Sequence, residues 1–341
     1  MRRDAAAEPV EIALDLTYRC NQSCRFCFLP DNPALKRGRG ELTLPRWKAL
    51  VDAFAGRPRT FLLTGGEPLL RRDLPALIEY IKSRGHRAVL STNGTLLDEK
   101  TAVRLVEAGV DEVAVSLHGD RSIHDHYTRR RGSYDKAIVG LRCMLRARAG
   151  TETRAVVRCT IHPGNHRVLH RLARSLVALK PDGISFGHLE YCTRGALTLS
   201  AKAVRDCKAG KVSLRPSEGR AKGIDPRVVC EQVARISSLG RRDVAFYPDL
   251  DDSGILRWYD PKLPSERRGG CPAQWGSLWL SPAGEVLTCQ PLALPMGSGK
   301  GAAWRASWEG ARYRRFREAL RGMGGCLPMC ARCGREQGER A

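Results

Sequence analysis

The chain has 341 residues, a formal net charge of +22 and thirteen cysteines. That length accommodates one domain of about 200 residues and one of about 100. A charged N-terminus poor in apolar residues excludes a secretory signal, and no apolar run reaches the length of a bilayer span, so a cytoplasmic protein whose cysteines bind metal rather than pair as disulfides is expected.

The predicted elements alternate. Glu11 to Leu16 reads as a strand that breaks at Thr17–Cys20, and a helix follows from Thr43, a candidate N-cap with Pro45 just inside, to Phe54. Strands are predicted at 60–63, 87–91, 112–117, 153–161 and 183–186. Helices are predicted at 74–83, 98–108, 134–147 and 167–179. Six strand–helix units at even spacing predict an α/β fold, a partial (β/α)6 TIM-like barrel over residues 1–200. A polar stretch from Ser200 to Ile224 reads as a lid or an exposed linker. With a helix over 226–239 it makes a connection spanning 201–243. Val244 to Pro248 reads as an edge strand leading into a small α+β, cysteine-rich domain over 244–341.

Cys20, Cys24 and Cys27 form a C-x3-C-x2-C run directly after the first strand. Three thiolates in eight residues can hold three irons of a cubane cluster and leave the fourth iron open for chemistry. Zinc would want a fourth ligand nearby, and none follows. In barrels of this type chemistry sits at the C-terminal strand ends. Gly65-Gly66-Glu67-Pro68, Ser91, Asn93 and Ser116 all fall at such ends.

With Phe26 before the third cysteine, these features resemble the radical S-adenosylmethionine (SAM) superfamily. The resemblance implies a four-iron cluster on Cys20, Cys24 and Cys27 that binds SAM and cleaves it reductively to a 5′-deoxyadenosyl radical. It also implies an external one-electron donor of flavodoxin or ferredoxin type. The segment Gly65, Gly66, Glu67, Pro68 would hold the SAM amino group through backbone carbonyls and the glutamate, with Ser91, Asn93 and Ser116 near the ribose or methionine portion. One departure is that Thr128-Arg129 stands where many relatives carry Arg-Gly after a His-Asp, here His124-Asp125. The run Arg129–Arg131 reads as a solvated charge run rather than as a carboxylate clamp for SAM.

Five cysteines, Cys271, Cys289, Cys326, Cys330 and Cys333, cluster in the last quarter. The arrangement resembles the Twitch form of the SPASM auxiliary-cluster domain. It implies one auxiliary four-iron cluster on Cys271, Cys289, Cys330 and Cys333; Cys326 is left over, to replace one of these ligands or to stand as a neighbouring thiol. A structural zinc site is the competing reading. Cys143 and Cys159 read as small buried hydrophobes.

The resemblance implies a radical enzyme that takes hydrogen from a peptide or an anionic small molecule. Nineteen residues before Cys20 are too few for a leader-peptide recognition domain, which weighs against the peptide without removing it. The alternatives are an RNA-modifying radical enzyme and a non-catalytic iron–sulfur carrier or scaffold. Against nucleic acid, basic residues spread from Arg2 to Arg340 rather than along one stripe, and no RNA-binding module accompanies them.

Overall fold

The computed structural model describes residues 8–36, 40–263 and 270–334. Its frame is one ten-stranded sheet in the order β10-β9-β8-β1-β2-β3-β4-β5-β6-β7. The strands are β1 (Glu11–Thr17), β2 (Thr60–Gly65), β3 (Arg87–Thr92), β4 (Glu112–Ser116), β5 (Arg154–Thr160), β6 (Gly183–Gly187), β7 (Val244–Tyr247), β8 (Ser277–Leu280), β9 (Glu285–Leu287) and β10 (Pro295–Ser298). From β8 through β1 to β7 every neighbouring pair is parallel. The pairs β8–β9 and β9–β10 are antiparallel. The mixed α/β architecture of a partial barrel is thus present, and its six expected strands all form.

Parallel strands need long crossovers, and helices supply them here. Examples are Leu44–Asp52, Leu74–Ser83, Glu99–Glu107, Ser133–Ala147 and Leu169–Val177. Leu77, Ile78 and Ile81 of the second of these turn one face onto the sheet, as helical spacing requires. Asp98 caps the third by accepting from Thr101 N at 2.7 Å. Thr43 stands at the expected cap position, but its side chain caps nothing.

The structure adds to the sequence-based expectation in three places. Strand β7 lies at the edge of the sheet, as expected. It pairs with β6 in parallel, Ile184 opposite Val244. Strand β8 pairs with β1 in parallel, Leu14 opposite Leu280, so the C-terminal region extends the same sheet. Strand β1 is therefore central, and residues 12–17 are all buried, which is the pattern of a strand covered on both faces rather than of an alternating one. Finally, position 200 lies inside a helix, Arg194–Asp206. The rest of the polar stretch packs over the mouth of the barrel: Ser217 N donates to Cys192 O at 2.9 Å and Arg220 Nη1 to Phe26 O at 3.1 Å.

Candidate active site at the strand ends

The cysteine loop leaves β1 and crosses the C-terminal strand ends. Ser23 N donates to Thr128 O at 3.2 Å and Arg25 N to Tyr127 O at 2.8 Å, which pins the loop to the segment after β4. Cys27 N donates to Cys24 O at 3.1 Å, a tight turn that sets both thiols on one side. Cys20 is exposed, whereas Cys24 and Cys27 are half-buried. Burial, then the neighbouring Cys27 and Cys20, pushes the Cys24 thiol up to about 12. Burial likewise raises the Cys20 thiol, with the Glu67 carboxylate adding to it. Three thiols crowded this way resist ionising together, and a bound cationic centre would relieve that repulsion.

Phe26 turns inward between the thiols. Its ring meets His118 edge-on at 4.6 Å and stacks on His162 at 5.4 Å, and His162 stacks on Tyr127 at 3.7 Å. These histidines carried no sequence signal. His118 Nδ1 accepts from Thr160 N at 3.1 Å, so the neutral ring carries its proton on Nε2. Burial lowers the His118 pKa well below its ordinary value.

The glycine pair explains how the second loop reaches the first. Gly66 N donates to Thr17 O at 2.7 Å and Glu67 N to Arg19 O at 2.8 Å. A Cβ on Gly66 would sit 2.1 Å from Arg19 O. Gly65 has φ +126° and would place a Cβ 2.3 Å from Thr17 O. Only glycine permits either approach.

Glu67 is fully buried, and its carboxylate is already engaged. Oε1 accepts from Leu69 N at 3.1 Å and Thr92 Oγ1 at 2.7 Å, and Oε2 accepts from Asn93 N at 2.8 Å. Burial raises its pKa, and those bonds oppose the rise. Glu67 and Pro68 thus lie behind the site wall, whereas Gly65, Gly66, Ser91, Asn93 and Ser116 line it. Asn93 Nδ2 donates to Asn21 Oδ1 at 2.7 Å, tying the end of β3 to the cysteine loop. Arg129, Arg130 and Arg131 are exposed and do not line the cavity. Asp125 anchors the turn after them, accepting from Gly132 N at 2.6 Å and Tyr134 N at 2.9 Å.

These elements enclose a cavity of about 620 Å³ onto which Cys20, Cys24 and Cys27 all face. A second cavity of about 210 Å³ is lined by all five C-terminal cysteines, including Cys326. Cys289, Cys330 and Cys333 border both cavities. Cys289 arrives there two residues past the β8–β9 hairpin, Cys330 lies within the short helix Pro328–Arg332, and Cys333 directly follows that helix. Behind them Gln274 Nε2 donates to Thr288 O at 2.9 Å and Tyr313 Oη donates to Gln274 Oε1 at 3.0 Å. Among the described residues no three His, Cys, Asp or Glu side chains converge on a single ion. Each cysteine set rings a space instead, as thiolates bound to separate irons of one cubane do, and both sets fit that group.

A cysteine loop at the C-terminal strand ends, with a glycine loop packed beneath it, opens onto the larger cavity. Residues 14–168 match the family model described as Radical SAM superfamily. The chain is 36% identical over 188 residues to Fe-coproporphyrin III synthase of Methanosarcina barkeri, covering 54% of this chain and 45% of that one. It is 25% identical over 344 residues to PqqA peptide cyclase of Rhodopseudomonas palustris, covering 95% of this chain and 79% of that one. The chain spans less than half the length of the first curated relatives it matches. Its fold is similar to Streptococcus suis SuiB bound to precursor peptide SuiA, with TM-score 0.65, 14% identity and coverage of 96% and 71%. Among the described residues no helix is long and apolar enough to cross a membrane.

Proposed function

We propose that Cys20, Cys24 and Cys27 hold a four-iron cluster and that this chain uses it to oxidise a bound substrate. The cluster, when bound, supplies the electron that splits SAM into methionine and a 5′-deoxyadenosyl radical, which takes a hydrogen atom from the substrate. The backbone of Gly65 and Gly66 with Ser91, Asn93 and Ser116 would cradle SAM. Glu67 holds that cradle rigid from behind, and Phe26 packs on His118 and His162. An external one-electron donor primes the cluster.

The C-terminal cysteines are proposed to hold an auxiliary four-iron cluster that accepts the substrate's electron. The observation that carries this reading is the shared wall: Cys289, Cys330 and Cys333 border both the large cavity and the smaller one behind it. An electron released in the first has a short path to the second.

The substrate class we favour is a peptide, because the likeness to a peptide cyclase runs over 95% of the chain. A carboxylate-rich tetrapyrrole is the second reading, favoured by the higher identity to Fe-coproporphyrin III synthase over 188 residues. The test is anaerobic reconstitution followed by dithionite and SAM. The expected result is 5′-deoxyadenosine and methionine in equal amounts. A fully iron-loaded chain that leaves SAM intact overturns the enzymatic reading and favours the carrier or scaffold.

A further inference from the structure

The charged side chains that line the larger cavity are Arg220, Arg332 and Glu190. Arg332 is 5% exposed, yet its hydrogen bonds all go to main-chain carbonyls and none to a carboxylate. Resting on the reading of this cavity as the substrate site, we infer that Arg332 binds a carboxylate carried by the substrate.

The wall grips this side chain from behind. Nε donates to Trp258 O at 2.6 Å, and Nη2 donates to Asp260 O at 2.7 Å, Leu263 O at 3.1 Å and Arg257 O at 3.3 Å. The guanidinium carbon lies 4.9 Å from the centre of the Tyr191 ring, and Tyr191 Oη donates to Trp258 O as well. These carbonyls engage Nε and Nη2 and leave the N–H groups of Nη1. Carbonyl dipoles fix a guanidinium without neutralising it, and a charge placed this deep is costly until an anion reaches it. Glu190 turns to the backbone instead, its Oε1 accepting from Gly334 N at 2.7 Å. Arg220 adds positive charge from the segment over the mouth, where its Nη1 donates to Phe26 O at 3.1 Å.

Two other destinations for this charge fit less well. Arg332 stands between Cys330 and Cys333 in sequence, but it lines the larger cavity and not the smaller one. The proposed SAM cradle stands at the ends of β2, β3 and β4, whereas Arg332 packs on Tyr191, in the segment after β6. A permanently charged fork whose rotamer the wall already fixes suits a carboxylate and loses little freedom on binding it.

The test is anaerobic calorimetry on the reconstituted full chain with SAM. One probe pair is a hexapeptide with glutamate at alternate positions and its glutamine counterpart. The other is a tetracarboxylate porphyrin and its tetraamide. The parent is expected to prefer at least one carboxylate probe by about tenfold or more, and Arg332→Gln to abolish that preference while the amide probes are unaffected. Preference for the peptide identifies a peptide carboxylate, and preference for the porphyrin alone a tetrapyrrole propionate. Arg130→Gln, on the outer face, is expected to change nothing. No preference in the parent, or equal losses in the two variants, overturns the inference. So does slower 5′-deoxyadenosine formation in Arg332→Gln that extra SAM restores, because the guanidinium then serves SAM itself. A parent that leaves SAM intact shows instead that the enzymatic reading fails.

If Arg332→Gln does not fold, the parent alone decides. A carboxylate held inside the cavity is screened far less than one on the basic surface. The preference is expected to survive about 0.5 M salt, well beyond the range of surface attraction. Its collapse there overturns the inference.

Discussion

Glu67 accepts the backbone N–H of Asn93 at 2.8 Å through Oε2, which locks the loop after β2 to the loop after β3. With Leu69 N and Thr92 Oγ1 on its other oxygen, the carboxylate satisfies three donors in a place water does not reach.

Replacing an acceptor there with a donor is costly. Glu67→Gln sets an amide NH2 against an N–H or a hydroxyl that needs an acceptor. Each buried group left unpaired costs about 1–3 kcal/mol. The expected loss is about 2–4 kcal/mol, read as a lower urea midpoint for the iron-free chain. A midpoint within error of the parent would show that the carboxylate is not structurally engaged.

Gly66→Ala acts on the neighbouring loop. Its Cβ would lie 2.1 Å from the Arg19 carbonyl oxygen, a backbone atom that cannot swing aside. The cysteine loop must then move. Iron bound by Cys20, Cys24 and Cys27 should fall by at least half while the C-terminal iron stays, as shown by iron analysis beside a Cys20, Cys24, Cys27 triple-alanine control. Equal iron in variant and parent would mean that the loops tolerate separation.

Cys24→Ala removes one of the two half-buried thiols of its set. Bound iron should drop from about eight to about four per chain, and 5′-deoxyadenosine should become undetectable by mass spectrometry. Cleavage of SAM at the parent rate in this variant would sink the assignment of the open cluster.

A pH dependence follows from His188, which burial brings down to about 3. Its ring is 3% exposed, and Nδ1 meets Tyr259 Oη at 3.0 Å. The unfolded chain takes up a proton near the ordinary histidine value, and the folded chain does not. Stability from this group is therefore full above about 6.5 and is lost progressively as pH falls toward about 3. At pH 5 the loss is about 2 kcal/mol relative to pH 7.5. His188→Gln should flatten the urea midpoint between those pH values by a comparable amount. An unchanged slope would assign the acid sensitivity to other groups.

Much of this was legible in the sequence, for local reasons. The six barrel strands follow from alternation or short apolar runs, their helices from helical spacing, and the two cysteine sets from their separations. What escaped was set by contacts between distant segments. The pairing of β8 with β1 joins residues 11–14 to 277–280, and no local pattern announces it. The Glu67 side chain could be read only from its own loop. Its direction is decided by donors at Leu69, Thr92 and Asn93.

The pairing of Leu14 with Leu280 has a consequence for the distance between the two cysteine sets. Strand β1 delivers Cys20 three residues beyond its end, and Cys289 lies two residues beyond the hairpin built on β8. Adjacent strands in register act as a fixed ruler, about 4.8 Å from one to the next. The span between the two cysteine-bearing loops is therefore set by a hydrogen-bond ladder and not by a hinge. On the proposed two-cluster reading, substrate entry would leave that span unchanged.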